Sequence, residues 1–511
     1  MATIAEALSI AVDHHQSGRI GEAETLYRRI LDADPDQPGA LYFLGILLAQ
    51  TGRIPDAEPL VARAILNQPD VAEYHATLGK LRQALGITAE AAACHRRAVA
   101  LQPEASGGYA LAGGALQALG ATDEAIAALF HAATLAPDDA ETRQRLALLL
   151  QLRGVRRIEA GHPQQAVSDL ARAVALGPVS ADLLFQLGNA HARSPRPEAA
   201  IACYTKAIAL QPDHTGSLFN RGVLARTQGR PDDAIRALRT ALHLAPDYLD
   251  AREELAIALF LSDRLADAAE QGNAILAYKK RQARADAETL GLSPLPDRPS
   301  APQRRTRNVL AFSLWGDKVL YLRGAVENAR LTPAVYPGWV CRVYHDDSVP
   351  PAILDELAAL GAELVAMEPG SGPVSGLYWR FLASDDPEVA RFVCRDCDSR
   401  IGPQEKAAVD AWIASGLPFH VMRDHVLHTE LMLAGMWGGM AGLLPPMAPR
   451  IAEAASSEAN RWQDQRFLQS HVWPAIEHAC LVHDSVQPNH GQPFPPGTEP
   501  HAVGRRILLD S

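Results

Sequence analysis

The stretch 200-AIACYTKAIALQP-212 reads as a helix that ends on a proline, and its fixed points recur through the first half of the chain. The closing prolines stand at 35, 69, 103, 137, 178, 212 and 246. They lie 34 residues apart, except for 41 between Pro137 and Pro178. Twelve residues before each stands an alanine: Ala23, Ala57, Ala91, Ala125, Ala166, Ala200, Ala234. Pairs such as Leu44-Gly45, Leu78-Gly79, Leu187-Gly188 and Arg221-Gly222 recur in the preceding helix. Gly18, Gly52, Gly86, Gly120, Gly161 and Gly229 mark the turns. Four kinds of anchor thus hold one register.

A 34-residue helix–turn–helix period resembles the tetratricopeptide repeat, over residues 4–279 in about eight units. A single helix pair cannot bury its apolar face, so neighbours stack into a superhelix with a concave groove. The seven extra residues before Pro178 predict one helix longer by about two turns. His95, His131, His191 and His243 have no ligand-like spacing and read as packed or surface residues.

Composition narrows the class. The chain has 511 residues and a net charge of −11, which argues against a general nucleic-acid binder. Six scattered cysteines fit reduced thiols rather than a disulfide scaffold. The N-terminus lacks a basic leader. The stretch 431-LMLAGMWGGMAGLL-444 is too short and glycine-rich to span a bilayer. The expectation is a soluble, cytoplasmic protein.

Prolines and charges in 280–306 predict a linker, with Arg304, Arg305 and Arg307 as a solvated tether. From residue 307 strands alternate with helices: strands at 308–315, 339–346, 362–367, 391–395 and 418–424, helices around 318–330, 350–361, 377–386 and 403–416. This pattern predicts a mostly parallel sheet covered on both faces. Ligands in such sheets bind at the carboxyl ends of strands. There stand Asp346-Asp347, the stretch 395-RDCDSR-400 and Arg423-Asp424-His425.

On an extended strand Asp396 and Asp398 share a face, with Cys397 turned away into the sheet. Two like-facing carboxylates favour a hard divalent ion between them, and such an ion stabilises a diphosphate leaving group. Arg395 and Arg400 would contact phosphate or sugar, or hold the aspartates. A Cys394–Cys397 zinc or redox pair is a rival, disfavoured because residues three apart face opposite sides of a strand. A haloacid-dehalogenase type of phosphatase also uses strand–Asp-x-Asp, but there the motif ends the first strand.

Segments through 309–485 resemble bacterial glycosyltransferase-like domains of the GT-A type, some of them joined to tetratricopeptide repeats. They include 312-FSLWG-316, 346-DDSVP-350, 379-WRFL-382, 395-RDCDSR-400, 419-FHVMRDH-425, 434-AGMWGG-439, 464-DQRFL-468 and 483-HDS-485. The resemblance implies a Rossmann-like nucleotide-diphospho-sugar transferase fold at 307–511. It implies Asp396, Asp398 and His483 as ligands of Mn2+ or Mg2+. It implies Ser313, Tyr321, Asp347, Trp379, Arg380, Arg423, His425 and Trp437 around the donor, and Asp464 or Asp424 as general base. Departures are Val426, Gln404 and Ala434, where the family has Pro, Arg and Gly.

The expected protein is therefore an all-α tetratricopeptide superhelix (4–279) followed by an α/β GT-A-like domain. It would move a sugar from a nucleotide-sugar donor to a hydroxyl, with a protein or peptide acceptor in the repeat groove. The alternatives are an interaction scaffold with an inactive domain, or a transferase acting on a cell-surface glycan precursor.

Overall fold

The computed structural model describes residues 3–295, 305–367, 375–455, 463–487 and 489–496. Among them, sixteen helices form eight consecutive pairs. These are α1 (Ile4–Gln16) and α2 (Ile20–Ala33), α3 (Pro38–Gln50) and α4 (Ile54–Asn67), α5 (Ala72–Ala84) and α6 (Thr88–Leu101), and α7 (Ser106–Ala118) and α8 (Thr122–Leu135). Then come α9 (Ala140–Glu159) and α10 (Pro163–Leu176), α11 (Ala181–Ala192) and α12 (Pro197–Leu210), α13 (Thr215–Thr227) and α14 (Pro231–Leu244), and α15 (Leu249–Leu261) and α16 (Leu265–Leu290). The extra seven residues fall in α9, which has 20 residues where α7 has 13.

The periodic residues are packing devices. All seven anchor alanines are fully buried. The first-helix glycines let the partner helix close in: a Cβ on Gly188 would lie 2.5 Å from the Tyr204 ring, and one on Gly154 2.7 Å from Leu170. The turn glycines adopt left-handed backbone, and Asp263 takes that conformation in the eighth pair at φ 56°. Aspartate is among the few side chains that tolerate it.

The chain divides into two compact units, Met1–Leu224 and Ala225–Ser511. Helices α14 to α16 thus lie in the same compact unit as the sheet while continuing the paired-helix pattern. Helix α16 runs to Leu290, eleven residues into the expected linker. Its buried Leu276 and Ala283 lie in the same apolar cluster as Phe392, Trp437 and Trp473. Linker residues 296–304, with Arg304, lie outside the described residues.

The sheet contains β1 (Arg307–Leu314), β2 (Trp339–His345), β3 (Glu363–Ala366), β4 (Val389–Arg395), β5 (Phe419–Arg423), β6 (Met436–Met440) and β7 (Cys480–Asp484). Their order is β3-β2-β1-β4-β6-β5-β7. Only β6 is antiparallel to its neighbours. One face packs on α17 (Val319–Val335), α18 (Pro351–Ala359) and α19 (Pro403–Ser415) around Phe312, Val343 and Trp412. The other face carries α16, the 3-10 turn Trp379–Ser384, α20 (Met447–Ala455) and α21 (Gln463–Phe467). Strand β6 was not expected, because Gly438 and Gly439 are poor strand residues. Here they are required: a Cβ on Gly438 would meet the Phe392 carbonyl oxygen at 2.4 Å.

Two outcomes follow. Gly188→Ala forces the Tyr204 ring aside and lowers stability by about 1–3 kcal/mol, measured by urea unfolding. Expressed alone, residues 305–511 show no cooperative melting by circular dichroism, whereas residues 229–511, which keep α16, do.

Candidate functional site

Chain order reverses between β1 and β4: the sheet grows through β2 and β3 on one side of β1 and resumes with β4 on the other. Such a switch point leaves a crevice at the carboxyl ends of the strands. Phe312 pairs with Arg395, so Ser313 and Asp396 are the next residues out on each strand.

Arg380, in the 3-10 turn, joins these ends. Its backbone N–H donates to Ser313 Oγ (3.0 Å). Its Nη1 donates to Asp396 Oδ1 (2.7 Å) and its Nη2 to Asp464 Oδ2 (3.1 Å). The guanidinium is buried, while the Asp396 side chain is 43% exposed. Burial pushes the Asp464 carboxyl up to about 6; Arg380 opposes the rise and the charge of Asp396 adds to it. The Asp464 Oδ1 accepts from the N–H of Gln465 (2.8 Å).

Asp396, Cys397 and Asp398 do not continue the strand. The backbone turns after Arg395, and Ser399 N–H donates back to Asp396 C=O (3.3 Å). The two carboxylates are thus presented from a turn, both half-buried, instead of from one strand face. Cys397 points inward: its Sγ donates to Ser313 C=O (3.2 Å) and it packs with Ile401 and Trp412. Cys394 lies on the opposite face with its thiol on Arg380 C=O (3.5 Å), and burial raises both thiols.

Several expected ligand contacts are structural. Arg395 is fully buried, 3.1 Å from Glu405 on α19, with Nη1 on Gly435 C=O (2.7 Å). Arg423 is fully buried on Asp484 (2.7 Å) and on the carbonyls of Leu431 and His490. Trp437 is fully buried between Phe381 and Phe392, so it cannot close over a ligand. Trp379 is buried edge-on to the half-buried Trp315. His483 pairs its Nδ1 with His420 Nε2 (2.7 Å), and burial pushes it down to about 4. It sits on β7, three strands from β4, which at about 4.8 Å per strand is about 14 Å from the Asp-x-Asp turn. It is not a third ligand.

Asp347 and Tyr321 are exposed beyond β2 and on α17, and Arg400 is exposed 3.9 Å from Glu327. Asp424 is buried with Nδ1 of His428 3.1 Å from its Oδ1. His425 rests on Phe260 of α15, ring centroids 5.0 Å apart.

Gly435 was read as a turn residue and is more than that. A Cβ there would lie 2.1 Å from Asp396 Oδ2. Glu405 and Asp484, which hold Arg395 and Arg423, went unnoticed because only the folded sheet brings them near. Among the described residues, no three His, Cys, Asp or Glu side chains form a metal-holding group, and no helix is long and apolar enough to cross a membrane.

Comparison with known proteins bears on the helices. Residues 14–81, 152–215 and 219–287 match tetratricopeptide-repeat family models. No curated protein matches the chain. Among solved structures it is similar to YrrB, described as a TPR protein with an unusual peptide-binding site, at 20% identity over 37% of this chain and 95% of that one, TM-score 0.28. It is similar to Naa15/Naa10 bound to HypK-THB at 16% identity over 57% of this chain and 42% of that one, TM-score 0.41. A tetratricopeptide repeat protein from Parabacteroides merdae is 15% identical over 50% of this chain and 98% of that one, TM-score 0.29. The helical half of this chain carries tetratricopeptide repeats.

Proposed function

We propose that the chain is a tetratricopeptide-repeat interaction scaffold whose sheet domain transfers a sugar from a nucleotide-sugar donor to a hydroxyl of a bound protein or peptide. One observation carries the reading: the Asp396–Asp398 turn lies at the switch-point crevice, fixed by Arg380 beside Ser313. The donor set fits a divalent ion of the magnesium type, which takes one or two carboxylates and fills its other positions with water and phosphate. Asp396 and Asp398 would hold it, and when bound it would neutralise charge on the departing diphosphate.

The chain's own groups do the rest. Ser313, Tyr321 and Asp347 line the nucleotide side. Asp464 receives the acceptor hydroxyl's proton as the oxygen bonds to the anomeric carbon and the bond from that carbon to the diphosphate breaks. Its raised pKa brings it nearer neutrality, where a base is most effective. Arg380 keeps its carboxylate in place. Asp424 is the less favoured base, because it follows β5, two strands from the Asp-x-Asp turn.

A second reading, a scaffold without turnover, draws on Arg380 already engaging both Asp396 and Asp464. A melting panel of nucleoside diphosphates and nucleotide sugars, with and without Mn2+ or Mg2+, separates the two. The transferase reading expects one nucleotide to raise the melting temperature only with metal; saturation at a hundredfold Kd is worth about 2.7 kcal/mol. Asp398→Ala loses the shift while melting as the parent does without ligand; Gly435→Ala, whose Cβ would meet Asp396, loses the shift and melts lower. No shift with any nucleotide leaves the scaffold reading.

Turnover has its own signature. With burial pushing the Asp464 carboxyl up to about 6, kcat/KM is expected to rise about tenfold per pH unit below that value and to level off above it. Asp464→Asn removes the inflection and lowers the rate by about 10²–10⁴. A flat profile in the parent excludes Asp464 as the base.

A further inference from the structure

A cleft of about 660 Å³ opens between the α15–α16 pair and the loops after β5 and in α21. It lies next to the candidate base along the chain, since Gln465 and Arg466, the residues after Asp464, form part of its wall. Loop residues Leu427, Thr429 and Glu430, just past Asp424 and His425, form another part.

From the lining we infer that this cleft binds an extended polypeptide segment bearing a lysine or arginine next to an aliphatic residue, and presents its hydroxyl to Asp464. The proposal rests on the transferase reading for the fate of the hydroxyl; the binding itself does not. Three features of the wall favour this occupant. Leu249, Ile257 and Leu427 form an apolar floor suited to an aliphatic side chain. Gln282, Gln465 and Gln469 each offer a donor and an acceptor, the complement of a peptide group. Asp250, Glu253 and Glu430 form an acidic end.

That acidic end keeps a surplus of charge. Lys279 Nζ lies 2.8 Å from Glu253 and 2.6 Å from Glu430, so one ammonium answers two carboxylates. Exposed Asp250 adds a third negative charge. Arg466, also exposed, stands on the α21 wall. A cationic side chain therefore gains at the acidic end, and an anionic one is repelled. One wall is a helix pair within the matched repeat segment 219–287, and such repeats present their surfaces to protein segments. A glycan fits less well: among the described residues Tyr278 is the one aromatic ring in the lining, and the floor is aliphatic.

The test titrates the full chain, without donor or metal, with fluorescein-labelled serine nonapeptides identical except for the flanks: leucine with lysine, leucine with glutamate, and glycine with lysine. The leucine–lysine peptide should bind about tenfold tighter than either other, a difference of about 1.4 kcal/mol. Asp250→Lys should erase the preference for lysine over glutamate. Leu427→Asp should weaken the leucine–lysine peptide about tenfold, with Asp250→Asn as the milder variant should either fail to fold. Equal affinity for the lysine and glutamate peptides overturns the proposal. So do unchanged affinities in folded variants, no saturable binding at all, or displacement by a labelled oligosaccharide at lower concentration. Because no donor is present, peptide binding can stand while the nucleotide panel fails, and the reverse.

Discussion

One guanidinium fixes the crevice. Arg380 ties the end of β1 through Ser313, the turn after β4 through Asp396, and α21 through Asp464. A buried guanidinium without counterions would be prohibitive, so the two carboxylates are a condition of the turn's position. They overcompensate: one positive charge faces two negative ones. The Asp464 carboxyl yields part of that excess, being pushed up to about 6 by burial and by Asp396. What remains is a net negative crevice with half-exposed oxygens at its mouth, an environment that rewards a cation arriving with a ligand.

The other two buried arginines explain why strand-end charges mislead a reader of sequence. Arg395 lies one residue before Asp396, and alternation turns it to the opposite face, where it pairs with Glu405, which also accepts from the Tyr336 hydroxyl. Burial raises the Glu405 carboxyl, while Arg395 and Tyr336 oppose that rise. Arg423 does the same against Asp484 at the end of β5 and β7. These pairs lock α19 and β7 to the sheet, so their charges are spent on architecture. Arg380 is of the same kind, except that one of its carboxylates still faces solvent.

How much was legible follows from the range of each signal. The repeats were readable because every anchor acts within its own helix pair. Strands β1 to β5 were readable from local apolar runs and turn residues. Strand β6 was hidden, because its glycines answer to the backbone of Phe392 and the ring of Phe419, contacts made across the sheet. The linker was overextended because the charges in 280–290 mask a buried stripe, Ala283 and Ala287, that only the sheet face makes apolar. In the candidate site, Ser313, Arg380 and Asp396, all named by the resemblance, are joined by hydrogen bonds, from a turn where an extended strand end was expected. His483 was misassigned, since nothing local tells that β7 lies beyond β5 and that His420 waits there as its partner.

The coupling of α15–α16 to the sheet gives the scaffold a mechanical meaning. Lys279 stays charged although buried, because Glu430 and Glu253 together outweigh the burial that would lower its pKa. A hydrophobic side chain could fill that space, but it would leave the two carboxylates facing each other. The ion triad therefore does what packing alone does not: it sets the distance between the last helix pair and the loop that follows Asp424. Arg284, 3.0 Å from Glu477, adds an ion pair about one and a half turns further along α16. A segment held on these helices is thereby held at a fixed distance from the crevice, without a flexible joint inside the unit.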